Sequence, residues 1–286
     1  MEVFIQILFN GLAVGGIYAL VALGYTIVYR SLYVINFAQG HVFMVGSFVG
    51  YLGFSHLRML PPAVFLIVLI TSAIIGVVSV FLVYGRIHRA DHLSFAIASI
   101  GVGIILENIV RMVCPDPKKY PDVFGETIYT FLGIYISKQY IWLIGITLLL
   151  IILLQVFFYK TKIGKAMRAV SEDRDMAGLL GINVNSTVYL SFAISSIVGA
   201  IGGVLIGPIY FFSFDMGMMV GLKAFSAAIL GGIMSIQGTI IGGFILGIAE
   251  NIGGFYISSD YKDAISFAVL IFMLMFKPTG IMGKKA

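Results

Sequence analysis

Nine runs of apolar residues, separated by short polar stretches, make up most of this chain. They cover 3–29, 34–54, 64–84, 93–113, 140–159, 187–207, 222–234, 238–256 and 264–276. Most approach or exceed the roughly 20 residues that a helix needs to cross about 30 Å of hydrocarbon. Two are irregular. The run 34–54 is broken by Asn36, Gln39, Gly40 and His41, and the run 222–234 has only thirteen residues. Either is a candidate re-entrant segment, held within protein rather than in lipid. The expected fold is therefore all-α: a polytopic transmembrane helical bundle of eight or nine membrane segments, forming a single domain over 1–286.

Composition agrees. Of the 286 residues, 60% are hydrophobic and 11% charged, and the mean hydropathy is +1.05. A soluble domain carries about 25% charged residues, so this chain cannot cover its surface with polar groups. A cleaved signal peptide is not expected, because the N-terminal region carries Glu2 and its apolar run is too long for a signal core. Cys114 is the single cysteine, which rules out an internal disulfide.

The net charge is +5. These positive charges lie between apolar runs, so topology explains them better than a nucleic-acid partner. With nine segments, one side holds Arg30, Arg86, Arg89, Lys160, Lys162, Lys165, Arg168, Arg174, Lys277, Lys284 and Lys285. The other holds Arg58, Lys118, Lys119, Lys138 and Lys262, together with most of the acids. The excess of basic residues marks the first side as cytoplasmic. The N-terminus then lies outside, the C-terminus inside, and the 160–186 loop in the cytoplasm.

That loop contains the densest charge in the chain. Between Lys160 and Asp175, eight of sixteen residues are charged, and the acids Glu172, Asp173 and Asp175 are interleaved with Lys160, Lys162, Lys165, Arg168 and Arg174. The spacing predicts one helix of about nine residues, with Ser171 as its N-cap, acids in its first turn and Gly181 as its stop. Met176, Leu179 and Leu180 fall at i, i+3 and i+4, which makes an apolar stripe. So short a helix is marginal alone. An exposed stripe of this kind suits a groove on a cytoplasmic partner protein.

Polar residues inside the runs are the other candidates. Asn36, Gln39, Gly40 and His41 interrupt a helix at membrane depth, where they either line a translocation path or bond to neighbouring helices. Glu107 and Arg111 are four apart, beside Asn108, and are expected to pair on one helix face. Glu250 and Asn251 recur in "IAENI" as Glu107 and Asn108 do in "ILENI", 143 residues earlier. Glycines four apart, such as Gly11/Gly15, Gly46/Gly50 and Gly243/Gly247, allow close helix packing. His88, Asp91 and His92 sit in a charged loop, and the other histidines are only His41 and His56, so no metal site is expected. No phosphate-cradling "GxxxxGK[ST]" occurs.

Four stretches carry a likeness to a known family: "INFAQGH" (35–41), "GKAMRAVSEDRDMAGLLGIN" (164–183), "GLKAFSAAILGGIMSIQGTIIGGFILGIAEN" (221–251) and "YKDAISFAVLIFMLMFKPTGIMG" (261–283). The chain resembles the permease subunits of branched-chain amino-acid ABC importers, of the H-subunit type, over nearly its whole length. The resemblance implies a non-enzymatic subunit of the cell inner membrane, embedded in lipid. Its partners would be a second related permease, two cytoplasmic ATPases that bind the ATP and magnesium, and an extracytoplasmic solute-binding protein. It also implies that 164–183 fits the ATPase, with Arg168, Glu172, Asp173, Arg174 and Asp175 as rim contacts around Met176, Leu179 and Leu180. The family commonly reads "NFAHGE" where this chain has Gln39 and His41, and tends to glycine where Met234 stands. An importer of urea or short amides, and an ion-coupled carrier using Glu107 or Glu250, are the alternatives.

Overall fold

The computed structural model describes residues 2–283, except 88–91, 122, 124, 126, 132 and 133. Its described helices are α1 (Glu2–Leu32), α2 (Gln39–Tyr51), α3 (Pro61–Ile87), α4 (His92–Val113), α5 (Lys138–Lys160), α6 (Lys162–Glu172), α7 (Arg174–Leu179), α8 (Val184–Ile206), α9 (Met216–Gly231), α10 (Ile236–Tyr256) and α11 (Lys262–Phe276). Six of them, α1, α3, α4, α5, α8 and α10, are long and apolar enough to cross a membrane, and α9 is a shorter apolar helix. The protein is thus a helical, multi-pass membrane protein.

Each apolar run became a helix, but the two irregular runs shifted. Residues 34–38 are not helical, and α2 starts at Gln39. Asn36 accounts for the break: its side-chain oxygen accepts from the Ala38 amide at 3.2 Å, and its carbonyl accepts from the Gln39 amide at 3.1 Å. The run 222–234 became α9, which starts six residues earlier, at Met216, because the Met-Gly-Met-Met stretch before it is helical too. One element lies outside the all-α expectation. Strands β1 (Ile128–Phe131) and β2 (Ile134–Ser137), rich in β-branched and aromatic residues, form an antiparallel hairpin. The Gln6 side chain holds β2 by two bonds, donating to the Tyr135 carbonyl at 2.9 Å and accepting from its amide at 3.0 Å.

The core is built around α1, which is apolar on all sides and buried from Ala13 to Val28. Its closest partner is α10. A Cβ at Gly11 would lie 2.9 Å from the Ile248 Cα, one at Gly15 would lie 2.9 Å from the Phe244 Cα, and one at Gly243 would lie 2.5 Å from the Ala19 amide nitrogen. These backbones touch because the seam lacks side chains. The hydroxyls of Thr26 and Thr239 bond across it at 2.7 Å. α2 and α8 meet in the same way, with Gly203 under the Phe43 carbonyl. The α9–α10 corner turns at Gly232, φ 99°. There the amides of Ile281 and Met282 cap the Leu230 and Gly231 carbonyls at 2.9 and 3.0 Å, so the last described residues complete a helix end.

Close contact at Gly203 and open space at Gly101 make opposite predictions. Gly203→Ala drives a methyl into the Phe43 carbonyl and should cost about 1–3 kcal/mol, typical of overpacking. Gly101→Ala has nothing within 4 Å and should be neutral, or stabilising by up to about 1 kcal/mol from helix propensity. Thermal unfolding of the two variants in detergent checks the pair.

Candidate functional site

The charged 160–186 loop folds as two helices rather than the single one expected. α6 starts at a Thr161 cap, whose hydroxyl accepts from the Gly164 amide at 3.0 Å. It buries Met167 and Val170 against the bundle and packs Gly164 on the Phe157 and Phe158 backbone. Ser171 is not an N-cap. It lies buried in the last turn of α6, where the Tyr33 hydroxyl donates to its carbonyl at 2.8 Å and the Arg30 Nε donates to its hydroxyl at 3.4 Å. The chain breaks at Asp173, with φ −153° and ψ 112°, and Asp173 is the true cap, its Oδ1 accepting from the Met176 amide at 2.9 Å. Asp173 won this role because an extended residue is needed between two helices, and its carboxylate suits the positive end of α7.

α7 ends as expected at Gly181, φ 83°. The Gly181 amide donates to Gly178 and the Ile182 amide to Ala177, each at 3.0 Å, a Schellman closure. Ala177 is the residue of α7 that is buried. Met176, Leu179 and Leu180 are 55%, 83% and 75% exposed. Arg168 stacks over the Tyr159 ring at 4.9 Å, and Glu172, Asp173 and Asp175 are exposed. The predicted residues therefore gather at one end of the bundle: a short helix, rigidly capped at both ends, with apolar side chains in solvent and charges around them.

The polar residues at the start of α2 are occupied within the bundle. Gln39 is fully buried, donating to the Ser195 carbonyl at 3.0 Å and accepting from the Ser195 hydroxyl at 2.8 Å. Gly40 is wedged against Gly217 and Gly221 of α9. His41 Nε2 meets Glu107 Oε2 at 3.1 Å, while its Nδ1 is buried without a hydrogen-bond partner.

That contact corrects the pairing expected along α4. Glu107 turns to His41 of α2 rather than to Arg111, whose guanidinium lies 5.2 Å above the Phe214 ring. A partner on another helix gives Glu107 its bond and also ties α4 to the bundle. Asn108 bonds back to its own helix at the Ile104 carbonyl, 2.8 Å, as Asn251 does at Gly247, 2.9 Å.

Sequence reasoning missed Lys223, which bonds to two carboxylates. It is buried in α9, and its Nζ lies 3.0 Å from Glu250 Oε1 and 2.6 Å from Asp263 Oδ1. Glu250 Oε2 also accepts from the Tyr18 hydroxyl at 2.9 Å and the Ser266 hydroxyl at 3.0 Å. One carboxylate thus ties α1, α9, α10 and α11 together. A lysine inside an apolar run is itself a signal of function or pairing, but its partners lie on other helices and no local spacing names them. Glu107 and Glu250 each face a base, which counts against either as a free proton carrier.

Removing the base alone should hurt most. Lys223→Met leaves the Glu250 carboxylate buried and uncompensated, at about 3–5 kcal/mol, whereas Lys223→Met with Glu250→Gln should recover most of that loss. Thermal unfolding of the purified variants measures both.

Comparison with known proteins bears on the whole chain. The family model described as the permease component of the branched-chain amino acid transport system matches residues 7–274. A high-affinity branched-chain amino acid transport permease protein of Salmonella typhimurium, LivH, is 37% identical over 98% of this chain and 96% of its own length. BraD of Pseudomonas aeruginosa, of the same description, is 38% identical with the same coverage. A probable branched-chain amino acid transport permease of Methanocaldococcus jannaschii is 28% identical over 97% of this chain and 92% of its own. Among solved structures, PsaBC from Streptococcus pneumoniae in complex with Fab shares the fold. Its TM-score is 0.54 at 17% identity, covering 96% of this chain and 92% of that one.

Proposed function

The chain belongs to the branched-chain amino acid transport permease family, and from that premise we propose that it forms half of a translocation path driven by ATP hydrolysis in separate subunits. It is the membrane-spanning permease component of an ABC importer for leucine, isoleucine and valine. The second half is a related permease. Two cytoplasmic ATPases supply the energy, and an extracytoplasmic solute-binding protein delivers the solute. The whole of 1–286 acts as one domain of the cell inner membrane, with the N-terminus outside and the 160–186 loop in the cytoplasm. Beyond the six long helices, α2, α9 and α11 complete nine membrane segments. α2 is the interrupted one, because its helical part starts only at Gln39. Chemistry in this chain is confined to binding and movement; ATP and magnesium belong to the partners.

The observation that carries this reading is the surface of α7. Met176, Leu179 and Leu180 present apolar area to solvent on and just after a helix of six residues, and nothing among the described residues covers them. α6 mounts that helix on the bundle through Ser171, Arg30 and Tyr33. Force applied at α7 therefore reaches the inner end of α1, a deeply packed helix. Arg168, Glu172, Asp173, Arg174 and Asp175 make the rim, and Gly181 sets the exit angle. Asn36, Gln39, Gly40 and His41 lie where an interrupted helix starts beside α9, the position from which a path is gated. Glu107 and Glu250 hold helices together through His41 and Lys223, Arg111 covers Phe214, and Asn108 and Asn251 bond within their own helices.

Leu179→Asp with Leu180→Asp should change the stability of the isolated permease by no more than about 0.5 kcal/mol, since both side chains are exposed. It should abolish co-purification of the ATPase subunits. Reversing charge with Arg168→Glu and Arg174→Glu should leave membrane insertion intact and eliminate ATP-dependent leucine uptake in vesicles. Uptake that persists in either variant refutes α7 as the contact.

A further inference from the structure

Lys223 of α9 is sandwiched between two carboxylates of unequal freedom. Glu250 is 7% exposed and anchored by Lys223, Tyr18 and Ser266. Asp263 is 47% exposed and bonds to Lys223 from the first turn of α11. That turn follows a single 3-10 turn, Ser259–Tyr261. Lys223 with Glu250 alone would make a neutral staple. Asp263 adds a negative charge that the staple does not require, and partly buried unbalanced charge is costly to keep.

We propose that the Lys223–Asp263 pair is an exchange site for the two charged ends of a zwitterionic α-amino acid; this rests on the import function above. An α-amino acid carries its carboxylate and ammonium on one carbon. Inserted between Lys223 Nζ and the Asp263 carboxylate, it replaces one ion pair by two. Its carboxylate takes Lys223, its ammonium takes Asp263, and the net charge of the site is unchanged. Asp263 is the group that yields, being half-exposed and singly held. Glu250 stays in place and keeps Lys223 oriented. A neutral amide has no ends to exchange, and a simple carboxylate would leave Asp263 facing another anion. The position suits first contact: Lys223 lies two turns into α9 and Asp263 at the start of α11, and in the proposed orientation both helices begin on the side from which a binding protein delivers. No bond is made or broken; the selectivity is electrostatic and geometric.

The test uses the complete importer, with both permeases, the ATPases and leucine-loaded binding protein, in proteoliposomes. Two variants are compared with wild type: Asp263→Asn, at a half-exposed position, and Lys223→Met with Glu250→Gln, which keeps the interior neutral. ATP hydrolysis and leucine accumulation are read together. The expected result is at least about a tenfold loss of leucine delivered per ATP, with hydrolysis stimulated by loaded binding protein held within about twofold, and recovery in Asp263→Glu. Unchanged delivery per ATP in both variants overturns the proposal. So does a parallel fall in both readouts as the complex dissociates, which would mark a purely structural pair. A wild-type complex that hydrolyses ATP but accumulates no leucine would overturn the import function itself, and this inference with it.

Discussion

The backbone-to-backbone contact of α1 with α10 is what the rest of the structure depends on. Lipid gives helices no hydrophobic reason to associate, so their affinity comes from van der Waals contact and interhelical bonds. Gly11, Gly15 and Gly243 remove the side chains that would hold the two axes apart. Two side-chain bonds follow from that seam. Tyr18 on α1 comes within 2.9 Å of Glu250 on α10, and Thr26 reaches Thr239 lower down at 2.7 Å.

A tightly held central helix has mechanical consequences. At one end α1 bonds to the last turn of α6 through Arg30 and Tyr33. At mid-length it touches the Glu250 network that also holds α9 and α11. The exposed apolar helix and the buried charges are thus joined by one rigid element, not by a chain of loops. The interior does not deform gradually, because close-packed seams resist small changes. Movement imposed at α7 is therefore expected to shift α1 as a body and to be felt where Lys223 meets its two acids. A network whose outer carboxylate is half-exposed is the natural place for that movement to open.

Several buried polar side chains join neighbouring helices, while other polar residues, Asn251 and Ser191 among them, bond back to their own. Gln39 is spent entirely on Ser195, and His41 on Glu107. His41 sits on α2 and finds its carboxylate partner, Glu107, on α4. Charges stay within the hydrophobic bundle because they come as opposites from different helices, which lowers the cost of leaving water.

The sequence by itself determined the helices. Leu-, Ile- and Val-rich runs leave a backbone no choice in hydrocarbon but to bond to itself, so α1, α3, α4, α5, α8 and α10 were legible from hydropathy alone. Gly181 announced its turn because few residues other than glycine accept φ 83°. The apolar stripe of Met176, Leu179 and Leu180 was legible from spacing, and the three side chains are exposed. Pairings between helices were not. Glu107 had Arg111 one turn away and took His41 instead. Ser171 had the chemistry of a cap, yet α6 runs through it and Asp173 caps α7. The hairpin at 128–137 and the partners of Lys223 were equally hidden. Local order is set by bonds between residues a few places apart, which spacing records. Which helix faces which is set by contacts between residues 27 or 232 positions apart, as for Lys223 or Tyr18 with Glu250, and only the packed bundle decides those.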